Sequence, residues 1–311
     1  MRIVFMGTPQ FAADILGYLF EDKRHEVIEV ITKPDQIRAR GNKKIENPVK
    51  SIAIQNNKPI LEWDLDNDDD VINELKRLCP DAIVVVAFGR ILKQEILDIP
   101  KYGCINIHGS QLPNYRGPAP FQWSILNGEP RAYACIMKMD KGMDTGDHCG
   151  TTSISINDKY LHEIEKELAH PAYLELVGAL SDIEAEQVVW HKQYPLVCPP
   201  TAPMLGKQFL YLRFDDSAEY AKRKVRASDS SHPVKCNISG RNVTILRASL
   251  PKEKLDINKY EVKLTNNKLY IRMDDGALEI EELRPDGKNS MDGKSFALGI
   301  QNGDYSWKEL R

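Results

Sequence analysis

The sequence predicts an α/β fold: an N-terminal Rossmann-like parallel sheet flanked by helices, followed by a smaller OB-like β-barrel. Three observations predict it. Through the first 190 residues, short apolar runs alternate with amphipathic segments, which is how a parallel sheet with helical crossovers reads. A stretch bearing Pro195, Pro199, Pro200 and Pro203 then interrupts that pattern. Beyond it come short β-type runs separated by turn residues. The expected division is a catalytic domain over 1–190, a linker over 191–206 and a barrel domain over 207–311.

In chain order, strands are expected at 3–6, 27–31, 59–61, 82–88 and 104–108. The run Ile83-Val84-Val85-Val86 suits a strand buried on both faces. Thr8 is placed to cap the first helix, Pro9 suits its first position, and Phe11, Ile15, Tyr18 and Leu19 share one face. Residues 148–156 alternate like a strand. A helix should then begin after Asn157-Asp158, with Leu161, Ile164 and Leu168 at helical spacing. Pro171 should kink or restart it, since proline lacks the amide hydrogen and crowds the preceding turn. Past the proline-bearing stretch, strands are expected at 234–238, 243–246, 269–273 and 278–280. Turns at Ser239-Gly240 and Asp275-Gly276 separate them, giving a small antiparallel barrel or sandwich.

Composition narrows the function classes. A chain of 311 residues is long for one domain and suits two. Hydrophobic residues make up 42% and charged residues 28%, as in ordinary globular proteins. The net charge of −3 gives no global attraction to nucleic acid. Residues 207–311 nevertheless hold 20 basic and 16 acidic residues, net +4, which leaves 22 and 29, net −7, for the first 206. The C-terminal part is thus the better suited to meet an anion. Six scattered cysteines without a CxxC pair read as free thiols, and His148-Cys149 beside Asp147 lacks a second ligand pair for a metal. No signal-peptide pattern and no apolar run of about 20 residues is present, so a cytoplasmic protein is expected. Gly7 follows the first strand, but MGTPQFA has no G-x-G-x-x-G and Lys33 ends the second strand, which argues against a dinucleotide.

The chemistry concentrates in Gly103-Cys104-Ile105-Asn106-Ile107-His108-Gly109-Ser110 and in Met143-Asp144-Thr145-Gly146-Asp147. A strand period of two puts Asn106 and His108 on one face, at the carboxyl end where open α/β sheets bind ligands. An amide, an imidazole and a carboxylate form a minimal kit for acyl transfer, in which the first polarises a carbonyl, the second stabilises the oxyanion or moves a proton, and the third orients the imidazole. Taken alone, His108 could be structural and Asp144 a turn residue.

The surrounding text, INIHGSQLPNYRGPAPFQWSILNGE followed by MKMDKGMDTGD, resembles the formyltransferases that use 10-formyltetrahydrofolate. That resemblance implies Asn106, His108 and Asp144 as catalytic residues and a folate co-substrate without metal. It also implies a pterin site around Phe88, Gly89, Ile91 and Leu92 and around Ser110, Gln111, Leu112 and Pro113. Within the family, acceptors are methionyl-tRNA, amino sugars of nucleotide-sugars, or glycinamide ribonucleotide. The opening MRIVFMGTPQFAADIL and the segment from Thr32-Lys33-Pro34-Asp35 to Asn47-Pro48-Val49-Lys50 resemble the branch that formylates initiator methionyl-tRNA. Between positions 33 and 50 stand six basic residues against Asp35 and Glu46. Arg38, Arg40, Lys43 and Lys44 are therefore expected to contact tRNA, through phosphates and base edges. A monomer is expected.

The sequence departs from the family in places. Gln111 replaces a leucine, and Pro118-Ala119-Pro120-Phe121 replaces Ala-Ala-Pro-Ile. Val225-Arg226-Ala227 leads into Ser228-Asp229-Ser230-Ser231-His232-Pro233 instead of x-Asn-Pro-Trp-Pro. The cluster Lys222-Arg223-Lys224 with Arg226 could face phosphate or form a solvated helix face. The competing function is a nucleotide-sugar amine N-formyltransferase with the same donor and site.

Overall fold

The computed structural model describes residues 1–37, 44–64, 67–194, 198–300 and 305–310. Two compact units emerge. One comprises Met1–Pro120, Arg131–Ser155 and Glu163–Pro203, the other Phe121–Pro130, Ile156–His162 and Met204–Arg311. The division is therefore not a single cut. The proline-bearing stretch expected as a linker belongs, up to Pro203, to the first unit, where the Ala202 N–H donates to the Arg116 carbonyl at 2.8 Å.

The first unit begins with β1 (Arg2–Gly7), α1 (Gln10–Glu21) and β2 (Glu26–Thr32), then a short antiparallel pair, β3 (Gln36–Ile37) and β4 (Lys44–Ile45). It continues through α2 (Pro48–Gln55), β5 (Ile60–Glu62), α3 (Asp68–Leu78), β6 (Ala82–Val86), α4 (Gln94–Leu97) and β7 (Cys104–His108). After α5 (Pro120–Leu126), which from Phe121 on belongs to the second unit, come β8 (Arg131–Lys138), β9 (His148–Ser155) and α6 (Leu161–Glu184). The sheet order is β5-β2-β1-β6-β7-β8-β9. The first five strands run parallel, and β8 and β9 add antiparallel at one end. From β1 the chain works outward on one side to β2 and β5, then returns to the other side of β1 with β6 and β7. That reversal opens a crevice at the carboxyl ends of β1 and β6. Every residue of β6 and β7 is buried, as the apolar runs require of central strands covered on both faces.

Local chemistry overrides several expectations. Pro9, not Thr8, is the N-cap position of α1, and the buried Thr8 hydroxyl has no partner among the described residues. β6 stops at Val86 rather than 88, because Ala87 turns into the left-handed region at φ 44° and leaves the ladder. α6 continues through Pro171 without interruption. Leu168, Ala169, Ala172, Leu176 and Leu180 are fully buried along one face, and this packing outweighs the one lost backbone hydrogen bond. Phe11 is a core residue.

The second unit carries α7 (Ala218–Arg226), β10 (Lys235–Ile238), β11 (Arg241–Ser249), β12 (Val262–Thr265), β13 (Lys268–Arg272), β14 (Ala277–Pro285), β15 (Met291–Asp292), α8 (Gly293–Leu298) and β16 (Trp307–Lys308). The strand order is β12-β13-β14-β11-β10-β16, with β15 on β14. Val262 donates to the Tyr305 carbonyl at 2.8 Å and Trp307 to that of Tyr260 at 2.9 Å. These bonds join the last strand to the first, so the antiparallel sheet nearly closes into a barrel around Trp307, Phe296 and the aliphatic side chains. β12, β15 and β16 were not expected. The last two are only two residues long, too short for an alternation to register. The turn at Ser239-Gly240, with φ of 51° and 76°, is the hairpin type its sequence announces.

The basic cluster on α7 answers neither expectation, since each of its cations is partnered within the unit. Lys222 pairs with Asp158 and Arg223 with Glu219. Arg226 donates to the carbonyls of Lys159 and Ile156. Lys224 reaches both oxygens of Asp216 at 2.9 and 2.8 Å, with only 4% and 8% of the two side chains exposed. Asp216→Ala strands a buried ammonium and should cost about 3–5 kcal/mol in chemical denaturation. Asp158→Ala, which removes a carboxylate that is 78% exposed, should cost no more than about 1 kcal/mol.

Candidate active site

β7 lies between parallel β6 and antiparallel β8, with His108 opposite Cys135. This placement carries Asn106 and His108 to the carboxyl end of the sheet beside the crevice. Both are buried, 9% and 5% exposed respectively. The Asn106 carboxamide makes no hydrogen bond to any described residue, so both its N–H groups and its oxygen remain available.

His108 is held by one nitrogen. Its Nε2 lies 3.0 Å from the carbonyl oxygen of Tyr115. A carbonyl only accepts, so Nε2 carries the hydrogen, and in the neutral ring the lone pair sits on Nδ1. Nδ1 faces the Asp144 carboxylate at 3.7 Å, a separation that permits attraction but no direct hydrogen bond. Burial pushes the imidazole pKa below its ordinary value. Asp144 and the Tyr115 carbonyl oppose that shift, whereas the nearby Arg116 guanidinium adds to it. The resting ring is therefore neutral, with Nδ1 open to a proton.

Asp144 reaches this position through an unusual backbone. It follows β8 in a loop and adopts φ 54°, a left-handed conformation that costs a non-glycine residue roughly 1 kcal/mol or more. The neighbouring Gly146 cannot be replaced without rebuilding the loop, since a Cβ there would lie 1.8 Å from the Lys138 carbonyl oxygen. The other Asp144 oxygen, Oδ2, accepts from the Gly117 N–H at 2.8 Å. Gly117 has φ 125°, and a Cβ on it would press on the Ala202 carbonyl at 2.5 Å. The loop after β7 thus binds the imidazole through Tyr115 and the carboxylate through Gly117.

The remaining expected residues fall into separate environments. The side chains of Phe88 and Leu92 belong to the core, Phe88 against Trp63 with ring centroids 5.5 Å apart. Ile91 is 77% exposed, and Gly89 has φ 67°. Residues 88–92 make no backbone–backbone hydrogen bond among the described residues. Lys33 instead donates to the Gly89 carbonyl at 3.0 Å. This segment leaves β6 next to the loop that leaves β7, and it presents open backbone groups. In that second loop, Ser110 spends its hydroxyl on the Asn114 carbonyl at 2.6 Å, Gln111 is exposed, Leu112 packs on Cys135 and Met137, and Pro113 follows a cis bond. Arg38, Arg40 and Lys43 lie outside the described residues, and for Lys44 only the backbone, in β4, is described. A cavity of about 590 Å³ between α1 and α2, lined by Asp14, Tyr18, Ile52 and Lys166, contains none of the residues expected to bind or catalyse.

Sequence reading missed Gln193. Its Nε2 donates to the carbonyls of Asp144 at 3.0 Å and Gly146 at 2.7 Å. Its Oε1 accepts from Arg116 Nε and Nη2 at 2.9 and 2.7 Å. No local pattern marks a glutamine that acts on partners 47, 49 and 77 residues away.

Comparison with known proteins identifies the family. The formyl transferase family model matches residues 1–180, and the formyl transferase C-terminal domain model matches residues 204–301. A methionyl-tRNA formyltransferase of Caldanaerobacter subterraneus is 34% identical over 301 residues, covering 96% of this chain and 97% of its own. In structure, HypX of Aquifex aeolicus in complex with tetrahydrofolic acid superposes with a TM-score of 0.66 at 18% identity, over all of this chain and 51% of that one. A methionyl-tRNA formyltransferase of Clostridium thermocellum gives 0.57 at 16% identity, over 83% and 97%. This chain belongs to the formyl transferase family.

Proposed function

We propose that this enzyme transfers the formyl group of 10-formyltetrahydrofolate to the α-amine of methionyl-tRNA, with charged initiator tRNA as the acceptor. On this reading it works in the cytoplasm as a monomer. The observation that carries the acceptor is similarity to a methionyl-tRNA formyltransferase along nearly the whole of both chains, barrel unit included. A chemistry of this kind needs a donor toward an oxyanion and a relay for one proton, and the residues at the end of β7 can supply both.

The free amine attacks the formyl carbon, a C–N bond forms, and the carbonyl electrons move onto oxygen. The unpartnered Asn106 amide donates to that oxygen. His108 gives its one N–H to Tyr115, which leaves Nδ1 as the base that takes the proton lost by the amine. The Asp144 carboxylate at 3.7 Å stabilises the imidazolium so formed. The proton then passes to N10 of the folate as the C–N10 bond breaks, so the ring is neutral again at the end of the cycle. The pterin, flat and rich in hydrogen-bonding groups, docks on the open backbone of residues 88–92 and on the loop carrying Ser110, Gln111, Leu112 and Pro113. Arg38, Arg40, Lys43 and Lys44 meet the phosphates of the acceptor stem.

Asn106→Ala should lower kcat by about 10²–10³ while the melting temperature stays near wild type. Wild-type turnover would remove it as the oxyanion donor. Because burial holds the His108 pKa down, the acidic limb of kcat/KM should fall below the ordinary histidine value of about 6.5. Asp144→Asn removes an influence that raises that pKa, so the limb should move lower still. An upward movement would contradict the assigned pairing. Arg40→Ala should raise KM for methionyl-tRNA and flatten its salt dependence while leaving KM for the folate unchanged.

A further inference from the structure

We propose that Gln193 is a positioning residue for formyl transfer: it clamps the turn that presents Asp144 to the loop that orients His108, and so sets the separation of the two side chains. The inference rests on the reading of His108 and Asp144 as a proton-relay pair. Four hydrogen bonds converge on one carboxamide. Its two N–H groups go to the carbonyls of Asp144 and Gly146, and its oxygen takes two bonds from the Arg116 guanidinium. That saturates both donors and both lone pairs of the group, and it fixes which end is nitrogen, because a reversed amide would set N–H against guanidinium and oxygen against carbonyls.

The bonds fall where the backbone most needs support. Asp144 stands at φ 54°, and Gly146 is wedged against the Lys138 carbonyl. The far end of the clamp, Arg116, sits between Tyr115, whose carbonyl orients His108, and Gly117, whose N–H holds Asp144 Oδ2. Gln193 is itself pinned two residues upstream, where the His191 and His148 backbones exchange hydrogen bonds at 2.8 and 3.0 Å at the start of β9. Side chain and backbone thus form a closed loop of contacts through Asp144, Gln193, Arg116 and Gly117. None of these Gln193 contacts touches a reacting atom, so the residue acts through Asp144.

A kinetic cycle tests this, using the full-length enzyme with methionyl-tRNA and 10-formyltetrahydrofolate under single-turnover conditions. Gln193→Ala should slow transfer about 10- to 100-fold, the scale of a misplacement near 1 Å, with KM for both substrates within about threefold. In an Asp144→Asn background the same change should cost less than about threefold, because the group it positions is already disabled. Gln193→Glu keeps the partner of Arg116 but turns a carboxylate toward two carbonyl oxygens. It should be impaired at least as strongly as Gln193→Ala, and it serves as the test if the alanine variant melts below the assay temperature. A full additive loss in the Asp144→Asn background, or a rise in KM with kcat intact, would overturn the inference. If Asp144→Asn itself leaves turnover intact, the relay reading fails. If Asp144→Asn cripples transfer and the Gln193 variants do not, the positioning inference alone fails.

Discussion

The hydrogen bond from His108 Nε2 to the Tyr115 carbonyl fixes which nitrogen of the buried imidazole stands open to a proton, and the geometry of the candidate site depends on it. That bond decides the tautomer of His108 and points Nδ1 toward Asp144, while burial, and not the bond, disfavours charge on the ring. The 3.7 Å gap to the carboxylate matters as much. A direct hydrogen bond in the resting state would require Nδ1 to hold a proton already, which would leave no open nitrogen on the ring.

Holding two side chains near each other without bonding them places the demand on the backbone. Tyr115 and Asp144 both take left-handed φ values, 56° and 54°, and Gly117 and Gly146 stand where a Cβ would collide with carbonyl groups. Such conformations persist only where the surroundings over-determine them. Here the Pro200 and Ala202 carbonyls, the Gly117 N–H and the Gln193 carboxamide supply that support. Gln193, Pro200 and Ala202, which stand in a stretch that resembles a tether in composition, brace the site instead.

How much of this was legible in the sequence follows from the range of the forces involved. The strand that carries Asn106 and His108 announces itself by a period of two and by an abrupt glycine, both local signals. Its neighbours in the parallel sheet were readable for the same reason, and the resemblance in Asn-x-His and Asp-Thr-Gly pointed to Asn106, His108 and Asp144, of which the last two lie 3.7 Å apart. The tautomer of His108 was not readable, because it depends on a carbonyl seven residues on in a left-handed turn. Gln193 was invisible because its partners are distant in sequence. On α7, cations that looked like a phosphate face or a solvated one are absorbed by Asp216, Asp158, Glu219 and two backbone carbonyls. Composition counts charge but says nothing of who neutralises it. Pro171 misled for the opposite reason, since a strong local rule yielded to tertiary packing.

The measurement that bears most directly on this account is the ¹⁵N NMR signature of the His108 ring in the resting enzyme at neutral pH, assigned by comparison with His108→Ala. The account predicts a neutral ring with the proton on Nε2 and a bare Nδ1. A ring protonated on Nδ1, or an imidazolium that persists at pH 7, would contradict it.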